Sequence, residues 1–443
     1  MEDKYKNELD VVLYKPIYET GKGFYYTVVI LLMVLIWAAY TFITQVYYGL
    51  GVTGMNQPVS WGFYIVNFVF FIGISHAGTL ISAILRLSKA EWRRPITRMA
   101  EIITAIVLAI GGLMPIIDLG RPDRVLNVFT AGRLQSPLLW DVTSITAYFT
   151  ASTVYLYLPM IPDIAKLRDR GGKLTWFYNF LSWGWQGTPK QKHTLERAIT
   201  VLMVMVIPIA ISVHTVISYI FSMTLQPGWH STIFGPYFVV GAIFSGIAAL
   251  MIVMIVFRKV YHLENYLKEI HFNYLGTLLL IMSFLWFYFT FSEYLTGIFG
   301  AEPNEMKTIM YKFTGPFAPL FWGMVLCNFV IPVIILSFKK FKKIPGILFA
   351  SITVVIGMWL ERLIIVVPSL ANPRLEIPQG IYVPSLVEWS IFIGGIAAFI
   401  LGYTIFAKFF PLISIWEIEE GRKEIHQVED RIHSYMPDVE VNQ

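Results

Sequence analysis

Charge is scarce in this 443-residue chain: Asp, Glu, Lys and Arg make up 14% of it, against about 25% in an average soluble domain. A surface so poor in charge does not face water over most of its area. Cysteine is scarcer still, with Cys327 alone. One thiol excludes an internal disulfide, and it excludes an iron–sulfur cluster held by this chain, which takes about four cysteines. The first residues stay polar from Met1 to about Gly23. No short apolar run with a small-residue cleavage site follows, so no signal peptide is expected. The net charge of +5 does not point to nucleic acid, because the cations form no single patch.

What the chain has is apolar length. Hydrophobic residues make up 56% of it. Runs of about 20 mostly apolar residues, enough to cross a bilayer core, are expected near 24–49, 60–87, 97–118, 139–160, 197–222, 233–257, 271–298, 313–337, 345–367 and 386–411. The expected fold is all-α and integral to a membrane, with about ten transmembrane helices. With residues 1–23 in the cytoplasm, 27 of the 34 Lys and Arg lie in cytoplasmic segments, six in outer loops and Arg362 within a span. The positive-inside rule then puts both termini in the cytoplasm. The aromatic stretch from Leu174 to Trp185 reads as a short helix in the inner interface. The charged tail, Glu417 to His433, reads as a surface helix or a disordered segment. Trp61-Gly62-Phe63-Tyr64 opens the second span and Phe234-Gly235-Pro236-Tyr237 opens the sixth. This echo hints at two related four-helix units, although chance likeness of aromatic helix starts accounts for it as well.

Ionisable groups within a bilayer are costly and point to function. Asp118 ends the third span and Asp141 begins the fourth, both at the expected outer face. These spans are consecutive and antiparallel, so the carboxylates are able to approach each other. Two close carboxylates in a poorly hydrated site push at least one proton affinity upward, which suits uptake of a proton from a bound hydroxyl. Structural readings stand beside this one. Asp141 is placed to cap the fourth span, and Asp118 to pair with Arg121 or Arg124. His76 lies about 16 residues from the outer end of its span, roughly 24 Å deep, and His214 about 8 residues from the outer end of its own. They differ in depth by roughly 12 Å, which does not suit a haem held between two histidines. His76 serves either a proton path or a hydrogen bond to Ser75 or Thr79. Glu361 and Arg362 are adjacent, about 100° apart on a helix, and are not expected to pair with each other. Arg362 with Glu293 is the expected interhelical ion pair, or a purely structural lock.

These stretches resemble the NrfD/PsrC family, the haem-free membrane subunits of quinone-linked respiratory complexes. They are Trp61 to Leu87 with Ser75-His76-Ala77-Gly78-Thr79, the turn Asp118 to Arg124, and Ser136 to Asp141. Ser212-Val213-His214-Thr215, Pro227 to Phe238, and Gly357 to Arg362 continue the likeness. The last three, with ten spans, are most similar to the ActC-type subunit of alternative complex III and to the Qrc, Dsr and Hme types of sulfate reducers. The resemblance departs at Asp118, where ActC-type chains tend to carry histidine, and the following turn is shorter. Both points favour a sister branch.

The resemblance implies a multi-pass subunit of a prokaryotic cytoplasmic membrane. It divides the chain into a cytoplasmic N-terminus 1–23, a first span and outer loop 24–59, a first four-helix bundle 60–222 with the quinone site, a second bundle 233–367, a last span 386–411 and a cytoplasmic tail 412–443. It implies menaquinol oxidation at the outer face with Asp118 and Asp141 taking the hydroxyl protons, and Trp140 and Arg121 shaping the site. Electrons would pass to a ferredoxin-like iron–sulfur subunit there, within a larger respiratory complex, with no metal, haem or cluster in this chain. His76, His214, Glu293, Glu361 and Arg362 are expected along deeper proton paths. A secondary transporter is the runner-up, although the mid-span prolines Pro208 and Pro332 do not correspond between the halves, as broken transporter helices tend to. Quinone reduction in the reverse direction is the other alternative.

Overall fold

The computed structural model describes residues 12–375 and 381–422. Among the described residues the regular structure is helical throughout. In chain order the main helices are α1 (Lys22–Tyr48), α2 (Phe63–Leu87), α3 (Thr97–Asp118), α4 (Pro137–Tyr157), α5 (Pro189–Ser222), α6 (Phe234–Val260) and α7 (Glu269–Gly300). They continue with α8 (Pro303–Phe313), α9 (Ala318–Ser337), α10 (Ile344–Ala371) and α11 (Leu386–Phe409).

Among the described residues nine of these are long and apolar enough to cross a membrane, all but α4 and α8. The protein is thus a multi-pass membrane protein. The fourth expected span does form a helix, α4, but its threonines make it more polar than the other nine. Those hydroxyls are satisfied within the helix. Thr143 donates to the Leu139 carbonyl (2.8 Å), Thr146 to Val142 (2.7 Å), Thr150 to Thr146 (2.8 Å) and Thr153 to Phe149 (2.7 Å). A hydroxyl already bonded to its own backbone costs little against lipid. Hydropathy alone overstates the polarity that α4 presents.

Contacts close two rings. α2 packs on α3, α3 on α4, α4 on α5, and α5 back on α2. In the same way α6 packs on α7, α7 on α9, α9 on α10, and α10 back on α6. The rings meet where α2 lies against α6 and α10. The pair α1–α11 flanks the first ring and touches α3. Lipid provides no hydrophobic drive between helices, so close backbone approach carries the packing. Gly78 is the clearest case: a Cβ there would lie 1.9 Å from the Ala100 carbonyl oxygen of α3.

At the end of the molecule opposite Asp118, buried ion pairs hold the segment after α11. Arg98 contacts Asp163 at 2.6 Å, and Asp163 accepts from the amides of Ile415 and Trp416, both at 3.0 Å. Glu417 accepts from Arg86 (2.7 Å) and Arg93 (2.9 Å). The aromatic stretch forms a short helix, Thr175–Leu181, with Trp176 and Phe180 exposed. The expected tail helix is described as far as Arg422; the rest of that expectation lies outside the described residues.

Candidate functional site

At the Asp118 end, α3 stops at Asp118 and the chain turns through Pro122–Arg124 toward α4. Asp141 is the fifth residue of α4, buried at 6% exposure. The N-cap of that helix is Ser136, so Asp141 does not act as the cap. Asp118 forms no ion pair with Arg121 or Arg124 among the described residues. Arg121 instead grips Asp123 through two 3.1 Å bonds on the exposed turn, because the short turn places that acid two residues away. What Asp118 and Asp141 share is a buried Oδ1 atom with no hydrogen-bond partner among the described residues. Buried polar groups are almost always bonded, so two orphaned acceptors at neighbouring helix ends suit an incoming donor.

The two carboxyls do not form a coupled pair. The charged neighbour of Asp118 is Glu388, with Tyr64 also in electrostatic range. Tyr64 donates to Gln45 (2.5 Å), and Gln45 donates to the Ile117 carbonyl (2.9 Å). Asp118 thus looks toward α1, α2 and α11, while Asp141 stands in α4. Trp140 is 38% exposed, and its indole N–H donates to the Leu134 carbonyl at 2.5 Å.

His76 and His214 meet in the core. Their ring centroids are 3.7 Å apart and the planes cross at 65°. The expected depth difference is therefore wrong. Helix α2 begins at Phe63 rather than near residue 60, which reduces the offset to about five residues, or roughly 7.5 Å. Side chains lean toward the N-terminus of their own helix. The two helices are antiparallel, so the rings lean toward each other and close the remainder. Contact this close leaves no room for a metal between the rings, since each metal–nitrogen bond alone takes about 2 Å. His76 Nε2 lies 2.5 Å from the Ala210 carbonyl oxygen, whereas neither nitrogen of His214 has a hydrogen-bond partner among the described residues. Tyr148 stands 5.1 Å from the His76 ring.

Arg362, on α10, lies in electrostatic range of His214. Its Nη1 lies 3.0 Å from Glu361 Oε2, an ion contact, but among the described residues neither atom makes a hydrogen bond, in keeping with the angle between adjacent residues. Long side chains in a dry interior reach around the helix to meet. Glu361 Oε1 also accepts from the Trp286 indole at 2.6 Å. Glu293 does not pair with Arg362. It accepts from the Ser231 hydroxyl and lies in range of Lys312.

Two further groups carry no expectation from the sequence. Glu101, 1% exposed on α3, accepts from Ser82 at 2.5 Å. Lys312, 5% exposed on α8, faces the Tyr294 ring. Glu101 is legible as an acid inside an apolar span. Lys312 reads in sequence as a loop cation.

Residues 51–373 match the family model described as polysulphide reductase, NrfD. The chain belongs to that family. Its relatives include a selenate reductase subunit of Mesobacillus selenatarsenatis, 26% identical over 86% of this chain and 91% of the relative. The Hdr-like menaquinol oxidoreductase integral membrane subunit of Archaeoglobus fulgidus is 23% identical over 85% and 90%. The menaquinone reductase integral membrane subunit of Nitratidesulfovibrio vulgaris is 22% identical over 88% and 90%. These relatives carry names of oxidoreductase subunits. The matched region runs from the turn before α2 to the end of α10, so it contains Asp118, Asp141, the histidine pair and Glu361–Arg362.

Proposed function

We propose that this chain is the quinone-handling membrane subunit of a respiratory oxidoreductase, most simply oxidising menaquinol at the outer face. The observation that carries the reading is the pair of buried Oδ1 atoms, one on Asp118 and one on Asp141, that have no hydrogen-bond partner among the described residues. A quinol offers two hydroxyl donors to two such acceptors. Oxidation removes two electrons and two protons. The carboxyls take the protons, and the electrons leave to an iron–sulfur subunit docked at that face. In the reverse direction the same carboxyls deliver protons to a quinone.

Trp140 is part-exposed and Arg121 lies on the exposed turn, so in this reading they bear on ring entry rather than on the proton itself. Deeper in the membrane, His76 touches His214, Arg362 lies in electrostatic range of His214 and contacts Glu361, and Tyr294 is in electrostatic range of both Glu361 and Glu293. This chain of groups is the proposed route for protons beyond the quinone site.

The test is quinol-dependent reduction of the partner's iron–sulfur centres in the native complex, comparing wild type with Asp118→Asn and Asp141→Asn. Loss of a positioned proton acceptor costs about 10²–10⁴-fold in rate. Normal reduction in both assembled variants removes the site assignment. Purification of the chain without an iron–sulfur partner favours a transporter instead.

A further inference from the structure

At the Asp118 end of the second ring a cavity of about 460 Å³ opens between α7, α8 and the loop before α6. Its size falls within the range of small-molecule sites, about 300–1,000 Å³. Trp229, Tyr237 and Tyr294 supply flat aromatic walls, and Lys312 and Glu293 supply the polar groups. Lys312 is 5% exposed, and among the described residues no carboxylate lies within 4 Å of its ammonium, which faces the Tyr294 ring at 5.7 Å. A buried ammonium without an ion pair is costly and seeks an acceptor oxygen. Glu293, fixed by the Ser231 hydroxyl, is the complementary acceptor.

The sequence echo at the helix starts acquires a physical counterpart here. Tyr64, in the opening of α2, lies in electrostatic range of Asp118. Tyr237, in the matching opening of α6, lines the same cavity as Glu293. Ser292, Thr296 and Gly297 of α7 also line the cavity, and the same stretch leaves Leu295, Ile298 and Phe299 exposed. An apolar chain has a surface there along which to leave toward lipid.

We propose that this cavity is a second quinone site, with Lys312 donating to one ring oxygen and Glu293 accepting from the hydroxyl of the other. The inference rests on the reading that the chain handles a quinone at all. It differs in placing a ring in the second bundle, where nothing yet assigns one. The ring needs a donor at one oxygen and an acceptor at the other, and an isoprenoid chain that follows α7. A phospholipid headgroup is the competing occupant.

The test uses the native complex and a photoreactive azido-naphthoquinone, with labelled peptides mapped by mass spectrometry. Wild type is expected to carry label in two regions, one around residues 118–141 and one within 228–237 or 292–312. Lys312→Met is expected to reduce the second label at least tenfold and to leave the first. Ser231→Ala, a milder change, is expected to reduce it several-fold. Label in the first region alone overturns this inference and leaves the first site standing. Label in neither overturns both. Label in the second region that is unchanged in Lys312→Met, or that is displaced by added phospholipid, overturns the inference in favour of a lipid pocket.

Discussion

The imidazoles of His76 and His214 touch face to edge at 3.7 Å, yet only His76 is anchored, by the Ala210 carbonyl at 2.5 Å. Both nitrogens of His214 are buried without hydrogen-bond partners among the described residues. Each unsatisfied buried group costs about 1–3 kcal/mol. His214→Leu is therefore expected to melt at or above the wild-type temperature in detergent, while His76→Leu melts lower. A lower melting temperature for His214→Leu would show that its nitrogens are bonded in the membrane.

Glu417 holds the segment after α11 through Arg86 and Arg93. Burial acts to raise its proton affinity, but Arg86, Arg93 and Arg98 outweigh burial and hold the carboxyl below its ordinary 4.5. The folded value is depressed, so the stabilisation is complete above the ordinary value and is lost as pH falls through the depressed one. Removing one partner of a buried pair costs about 3–5 kcal/mol. Glu417→Gln is expected to melt well below wild type at neutral pH, with the gap closing in acid. Melting curves across the acid range measure this, and a constant gap overturns it.

Gly78 sets the distance between α2 and α3. An added Cβ would lie 1.9 Å from the Ala100 carbonyl oxygen and 2.0 Å from Thr104 Oγ1. Thr104 Oγ1 donates to the Ser75 carbonyl at 2.7 Å and accepts from the Thr79 amide at 3.0 Å, so the clash falls on a bonded knot beside His76. Overpacking costs about 1–3 kcal/mol, and more when backbone must move. Gly78→Ala is expected to lower the yield of monodisperse protein and its melting temperature. Wild-type behaviour in size-exclusion chromatography and melting would mean that the helices separate freely.

Hydropathy makes most of the helices legible, because their apolar runs are long; α4, with its threonines and Asp141, is the weakest of them. What hydropathy does not convey is lateral. Periodicity says nothing of which helix lies beside which, so counting separates His76 from His214 by starting at ends that are not level. Arg362 and Glu293 look like partners because both are charges inside spans, whereas Glu361 is one residue away and Ser231 lies in a loop. Asp118 and Asp141 are legible as acids at span ends. Their orphaned oxygens, and the turning of Asp118 toward Glu388, depend on the packed neighbours. Lys312 is invisible as a buried group because α8 is too short and polar to read as anything but a loop.

The ammonium of Lys312 gives the second cavity a pH signature. Burial pushes it down from 10.5 to about 8, with the attraction of Glu293 opposing. The other groups facing it are Tyr294 from α7, Glu305 from its own helix and His230 from the loop before α6. Between about 8 and 10.5 the unfolded chain keeps the proton and the folded chain releases it. Stability therefore rises with pH through that window. Lys312→Met is expected to abolish the rise and to be the more stable protein at neutral pH. Ligand chemistry runs the other way. Above about 8 the ammonium becomes a neutral amine, a weaker donor to a ring oxygen, so labelling of this cavity by a naphthoquinone is expected to fall there while labelling near Asp118 and Asp141 follows its own profile. Melting temperatures and label yields, measured on one preparation from neutral to alkaline pH, check both. A rising melting curve with flat labelling would leave Lys312 buried and ionising but remove it from the ring, and two flat curves would place its ammonium in water.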